Sequence, residues 1–147
     1  MIVALVGMLC GLNVSTVWAV EYLGEFCWKI TTNEDTAGAI TPSSVIGKFA
    51  VTQTGDNYYL LQGKTNARNP TYFIGSGIIA GNNLIITMNN TYETADPVKR
   101  ETRIANWTLD LGTLSGTNWR TTTRFDTTTR TISQIYNAGS VEFVTCP

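Results

Sequence analysis

The chain contains no histidine, and this absence narrows the chemistry that its side chains can perform. Histidine is the usual general base near neutral pH, the usual partner of a nucleophilic serine or cysteine, and the commonest metal ligand. The sequence also contains no phosphate-binding loop, no dinucleotide-binding glycine motif and no nucleophile elbow. We therefore expect a protein that is not an enzyme and that carries no cofactor and no metal ion.

The aromatic residues give the strongest indication of a binding site, because small-molecule pockets are mostly aromatic and apolar. The predicted ligand-binding set is Trp28, Tyr59, Tyr72, Trp107 and Trp119. For Trp28 we favour a place in the core, since Phe26 and Ile30 alternate with it on one face of a strand. Trp107 and Trp119 lie near a glycine-rich connection, and for these two a core position and a ligand wall are equal alternatives.

Two arginines in the second half of the chain raise the question of an anion site. Arg120 and Arg124 share one face of a predicted strand over 117–126, and Trp119 and Phe125 take the other face. Two guanidinium groups on one face could hold an anion. Exposed charges on a sheet are commoner and contribute little to stability, so we favour a solvated face.

Short runs of alternating polarity recur along the chain and predict strands. These runs cover residues 25–31, 44–53, 57–65, 71–80, 83–92, 101–111, 117–126, 130–136 and 140–145. Turn-forming residues at 54–56, 81–82 and 137–139 predict hairpins between neighbouring runs. Residues 32–43 are predicted to form a loop or short helix, and residues 93–100 a polar loop.

Together these elements predict an all-β domain. We expect an antiparallel up-and-down meander of about eight or nine strands, which the hairpin connections favour as a closed barrel. A β-sandwich is the alternative. Gly75 and Gly77 lie inside one run and predict strong bending or close backbone contact at that strand.

The first 19 residues carry no charge and predict a signal peptide, with small residues at Val17 and Ala19 placing cleavage after Ala19. An uncleaved membrane anchor is the alternative. Residues 20–147 then form a single β-barrel domain in an exported protein, secreted or periplasmic. Its net charge of −1 offers no basic excess for nucleic acid, and we expect no nucleic-acid partner and no membrane contact after cleavage.

Cys27 and Cys146 are the cysteines left after the leader, and an exported chain with two cysteines most simply forms one disulfide. Both sulfurs fall on the outward face of their strands, near the two ends of the domain. A closed barrel places its first and last strands side by side, which is the arrangement that such a disulfide requires.

An exported meander with a tryptophan on its first strand resembles the calycin group, meaning lipocalins and avidin-like barrels. Lipocalins carry Gly-x-Trp on that strand, whereas here Gly24 precedes Trp28 by four residues. The resemblance implies that a late-strand arginine covers this tryptophan, a role open to Arg120, Arg124 or Arg130.

The meander, the aromatic residues and the missing catalytic groups predict a binding function. We expect an exported small β-barrel that binds a small, partly apolar or aromatic ligand in its mouth. The alternative is a non-catalytic structural or cell-surface interaction protein that acts through an outer face rich in Thr and Asn.

Overall fold

The structure, a computed structural model, describes residues 20–67, 71–93 and 99–147. The predicted leader and most of the predicted loop 93–100 lie outside these residues. Eight antiparallel strands form a closed barrel in chain order, β1 pairing with β8. The strands are β1 (Glu21–Asp35), β2 (Gly38–Gly55), β3 (Tyr58–Thr65), β4 (Tyr72–Ala80), β5 (Asn83–Glu93), β6 (Lys99–Asp110), β7 (Ser115–Asp126) and β8 (Thr131–Val144).

The predicted all-β closed barrel is confirmed, and the sandwich alternative is wrong. Alternation along each strand sends one set of side chains inward, where they form a single core. Its largest fully buried members are Phe49, Leu61, Ile86, Met88, Trp107, Leu109 and Val141. Burying each such side chain contributes about 1.5–3 kcal/mol.

No helix long and apolar enough to cross a membrane occurs in the described part of the chain.

The prediction of a loop or short helix over residues 32–43 is wrong. β1 and β2 continue through this segment as a hairpin whose turn lies at 36–37. Thr32 pairs with Ser43 and Glu34 with Ala39, so three β2 residues, including Pro42, lie opposite one β1 residue. Proline has no backbone N–H to donate, and it is tolerated here because the ladder is interrupted.

The predicted turn at residues 137–139 is also wrong, since β8 runs unbroken from Thr131 to Val144. Gly139 pairs with Thr32 on one side and with Asn118 on the other. A β-carbon added at Gly139 would lie 1.8 Å from the carbonyl oxygen of Thr31. Glycine is therefore needed here for the close approach of β1 and β8, and no turn is involved.

The predicted disulfide between Cys27 and Cys146 is confirmed, with the two Cα atoms 5.1 Å apart. Cys27 lies on β1 between the inward side chains Phe26 and Trp28, so it faces outward. In the register it pairs with Lys48 of β2 and Val144 of β8. The bond therefore ties the C-terminal segment to β1 on the outside of the barrel, where the first and last strands meet.

The up-and-down order gives the barrel two ends that differ in character. End A carries the turns at 56–57, 81–82 and 111–114, and end B carries the turns at 36–37 and 127–130 together with the β3–β4 connection. Inward side chains near end A are apolar. Inward side chains near end B include Glu101, Arg103, Arg120 and Asn118, so the interior changes from apolar to charged along the barrel axis.

Candidate ligand-binding site

The interior at end A keeps an apolar cavity, here termed cavity A, of about 150 Å³. Its lining includes Phe26, Trp28, Val51, Tyr59, Leu84 and Leu114. The lining side chains come from strands on several sides of the barrel and from the turn at 111–114. An eight-stranded barrel has an interior just wide enough to be filled by side chains or to hold one small ligand, and cavity A is space that the side chains leave open.

Trp28 is held in the wall of cavity A by the turn at residues 111–114. Its indole Nε1–H donates a hydrogen bond to the carbonyl oxygen of Leu114 at 2.9 Å. Leu114 has a φ of 50°, an uncommon left-handed conformation for a residue other than glycine. Asp110 fixes the turn, because its carboxylate accepts hydrogen bonds from the backbone N–H groups of Gly112 and Thr113. Backbone strain of this kind concentrates at functional sites.

Three aromatic rings fill the middle of the barrel and separate its two ends. The centroid of Trp28 lies 5.9 Å from that of Phe49 and 5.7 Å from that of Trp107, and Phe49 and Trp107 are 5.6 Å apart. All three contacts are edge-to-face, a favoured arrangement. Trp107 is oriented by its Nε1–H, which donates to Oδ1 of Asn118 at 3.0 Å. Trp28 therefore faces cavity A, and Trp107 faces the opposite end.

A second interior cavity, cavity B, lies on the end-B side of these rings and measures about 140 Å³. Its lining is mixed. The apolar part includes Ile30, Phe73, Met88 and Trp107. The polar part includes Thr65, Thr71, Arg103, Asn118 and Arg120. A cavity with an apolar wall and a few converging polar groups is typical of small-molecule sites.

A buried ion cluster lies beside cavity B. Glu101 is only 4% exposed and accepts hydrogen bonds from Arg103 Nη2 at 2.9 Å and from Arg124 Nε at 2.6 Å. Burial by itself raises the pKa of Glu101, but the hydrogen bonds and charges of the two arginines outweigh it and hold the pKa below its ordinary value. Glu101 is therefore ionised at neutral pH.

Arg120 faces the interior, so the prediction that Arg120 and Arg124 share a solvated face is wrong. Arg120 Nη2 donates to Oδ1 of Asn137 at 2.9 Å, while its buried Nε–H has no hydrogen-bond partner among the described residues. Burial lowers the pKa of Arg120, and the nearby charge of Arg103 lowers it further. The alternation along β7 predicts correctly that Arg120 and Arg124 share a face, but that face is the inner one.

The five predicted aromatic site residues divide between the interior and the outer surface. Trp28 and Tyr59 line cavity A, and Trp107 lines cavity B. Tyr72 and Trp119 point outward and are 63% and 48% exposed. Trp119 stacks on Tyr136 of β8, with the ring centroids 6.1 Å apart. The structure thus brings three of the five to the interior, in two separate cavities.

The arginine that the calycin resemblance places over Trp28 is not identified by the structure. Arg124 pairs with Glu101, and Arg130 lies in the exposed turn at end B, whereas Trp28 lines cavity A at the other end. Arg120 shares cavity B with Trp107. The residues that the sequence did not predict for the site are Glu101, Arg103, Asn118 and the leucines of the 111–114 turn.

Within the described ranges, no group of three or more Cys, Asp and Glu side chains is placed to hold a metal ion. The chain matches no family model, and comparisons with the curated proteins and with the solved structures find no similar protein.

Proposed function

We propose that this protein is an exported, calycin-like binding protein that holds a small apolar or aromatic molecule in cavity A. The observation that supports this proposal is the open space of about 150 Å³ beside Trp28. An apolar cavity of that size, about 150 Å³, can stay dry and accept a ring such as benzene. The disulfide between Cys27 and Cys146 supports export, because such bonds persist in oxidising compartments.

The binding would be driven by removing apolar surface of the ligand from water, at about 25 cal/mol per Å². Association entropy offsets much of this gain. A ligand the size of a benzene ring is therefore expected to bind with a Kd on the order of 1 mM. A natural ligand that also contacts the turn at 111–114 would bind more tightly, since Leu111 and Leu114 line the cavity.

The test is a titration of the purified protein with fluorobenzene, followed by saturation-transfer NMR. Leu84→Phe places a larger side chain on the inner side of β5 and narrows cavity A, so it should weaken the transfer. Ile85→Phe is the matched control, because the next residue of the same strand points outward and is 40% exposed. Equal transfer in both variants, or no transfer in the unmodified protein, would contradict the proposal.

A second candidate function, interaction through the outer surface, is favoured by a different observation. The outward face of β3–β6 carries exposed apolar side chains, most densely near the turns of end A. It exposes Tyr58, Leu60, Ile74, Ile78, Ile85 and Ile104. Tyr58, Ile78 and Ile85 lie side by side in the register. Exposed apolar patches of this kind mark interaction sites.

The first partner to test for this surface is a second copy of the chain. Sedimentation of the purified protein over a range of concentrations should show dimers, and Ile74→Lys combined with Ile78→Lys should remove them. A monomer at every concentration would contradict self-association through this face.

A further inference from the structure

Two turns of the barrel, one at each end, have the same local structure. Asp110 precedes the turn at 111–114 of end A, and Asp126 precedes the turn at 127–130 of end B. In each case Oδ1 of the aspartate accepts hydrogen bonds from the backbone N–H groups of the second and third turn residues, at 2.9 and 3.1 Å at end A and at 2.9 and 3.0 Å at end B. The last residue of each turn has a left-handed backbone, with a φ of 50° at end A and 56° at end B. The two turns are therefore built alike, and they differ in what they face.

The turn at end A faces cavity A, whereas the turn at end B is exposed. Leu111 and Leu114 line cavity A, and the carbonyl oxygen of Leu114 accepts the indole hydrogen bond of Trp28. All four residues of the turn at 127–130 are exposed. The position of the end-A turn therefore decides where two side chains of the cavity wall lie.

Asp110 also connects this turn to its neighbour, the β4–β5 turn. Oδ2 of Asp110 accepts from Asn82 Nδ2 at 2.7 Å, and the backbone N–H of Leu111 donates to the carbonyl oxygen of Asn82 at 3.0 Å. Asn82 lies in the β4–β5 turn, and Ile79 and Leu84, on the two strands beside that turn, also line cavity A. One carboxylate thus holds together the two turns beside which four of the lining side chains lie.

We infer that Asp110 is a positioning residue that determines which size of ligand cavity A accepts, a role that rests on the function proposed for this cavity. Asp110 does not itself line the cavity, so it acts through the turns that it holds. With Leu111 and Leu114 held inward, the open space is about 150 Å³, which suits a single ring. Without the carboxylate the turn is freer to move, so the two leucines can yield to a larger ring, and Trp28 loses a fixed hydrogen-bond acceptor.

The experiment compares fluorobenzene with 1-fluoronaphthalene, whose two fused rings need more space, in the purified protein and in three variants. Each dissociation constant is measured by ¹⁹F NMR titration. Asp110→Ala removes the carboxylate, and Asn82→Ala is a milder change that removes the donor to Oδ2. Asp126→Ala is the matched control, because it removes the same pair of turn hydrogen bonds at end B.

The measured quantity is the ratio of the two dissociation constants. It should be the same in the unmodified protein and in Asp126→Ala. In Asp110→Ala the ratio should shift by about fivefold or more in favour of 1-fluoronaphthalene, because the hydrogen bonds that hold the wall inward are lost. Asn82→Ala should shift the ratio in the same direction by a smaller factor. An unchanged ratio in Asp110→Ala and Asn82→Ala, or an equal shift in Asp126→Ala, would overturn the inference.

Hydrogen exchange of the Trp28 indole N–H, read without ligand, separates this inference from the proposed function. Exchange should be about fivefold faster or more in Asp110→Ala and unchanged in Asp126→Ala, with the Trp107 indole, which donates to Asn118, as the internal reference. Unchanged Trp28 exchange in Asp110→Ala would overturn the positioning role whether or not a ligand binds. If the unmodified protein binds no fluorobenzene, the proposed function and the size selectivity both fail, and faster Trp28 exchange would still support the positioning of the turn by Asp110.

Discussion

Replacing Glu101 by glutamine should destabilise the barrel more than any single change of a surface charge. The substitution keeps the size of the side chain and removes its charge, so Arg103 and Arg124 lose the carboxylate that they share. The change also leaves three positively charged groups close together at end B. The loss in the free energy of unfolding therefore measures how much the charge of Glu101 stabilises the cluster that it forms with Arg103 and Arg124.

The magnitude follows from the geometry of the cluster. At an effective dielectric constant of about 20, each ion pair at these distances has an attraction of about 6 kcal/mol. Desolvation of the three groups cancels most of that attraction. Removing one partner of a buried pair costs about 3–5 kcal/mol, and we expect about 3 kcal/mol here because Arg103 and Arg124 are partly exposed.

The assay is urea unfolding at several pH values. The folded-state pKa of Glu101 lies below its ordinary value of 4.5, so the stabilisation is complete above that value. It is lost as the pH falls through the folded-state pKa, since the carboxylate is then protonated in both states. The difference between the two proteins should thus be about 3 kcal/mol at pH 7 and shrink towards zero in acid.

The control for Glu101→Gln is Glu142→Gln, which removes an exposed ion pair with Lys29. Exposed pairs contribute about 0–1 kcal/mol, so this variant should unfold at nearly the same urea concentration as the unmodified protein. A loss below about 1 kcal/mol for Glu101→Gln, or a loss that does not change with pH, would refute the account of the cluster.

Two further predictions concern the barrel itself. Replacing both Cys27 and Cys146 by alanine releases a loop of 119 residues, and the chain-entropy model gives a loss of at most about 5 kcal/mol in the free energy of unfolding. Denaturant titration measures this loss, and the circular dichroism spectrum should remain that of a β-sheet protein. An unchanged free energy of unfolding would contradict a stabilising role for the disulfide. Gly75→Ala places a methyl group 2.4 Å from Met88 Cγ, so overpacking should lower the free energy of unfolding by about 1–3 kcal/mol in the same titration. An unchanged free energy of unfolding would show that the inner side of β4 is not tightly packed.

The fold could be predicted from the sequence because the apolar alternation is strong in most strands. β4 and β5 illustrate this, since the prediction of runs over 71–80 and 83–92 matches the observed strands closely. Each of these strands places apolar side chains in one continuous core, and the turn at 81–82 contains Gly81 with a φ of 61°. Local sequence and long-range packing agree in this part of the barrel.

The irregular positions could not be predicted because turns and bulges use the same residues. Pro42 and Gly139 are typical turn residues, yet both lie inside long strands. Pro42 occupies an interruption of the β1–β2 ladder, and Gly139 permits close contact with Thr31. Whether such a residue forms a turn or lies inside a strand depends on the strand that pairs with it. For Gly139 that strand is β1, which is distant in the sequence.

The candidate site was predicted in part. The sequence identified Trp28 and Trp107 because each alternates with other apolar residues on one face of its strand, and it also identified Tyr59. On β7 the same logic fails, since Trp119 points outward and Arg120 points inward. Hydrophobic alternation predicts that the apolar side of a strand faces the core. The prediction is wrong for β7, because the barrel places the charged side of this strand inside.

The described side chains leave an apolar cavity at end A, beside Trp28, and a separate cavity at end B with a mixed lining. A ¹H–¹⁵N NMR spectrum of the indole N–H groups tests ligand binding in cavity A directly, because Trp28 lines cavity A, Trp107 lines cavity B and Trp119 lies outside. Fluorobenzene should shift the Trp28 signal more than the Trp107 signal and leave the Trp119 signal unmoved. If fluorobenzene shifts the Trp107 signal as much as the Trp28 signal, or shifts only the Trp119 signal, binding in cavity A is refuted.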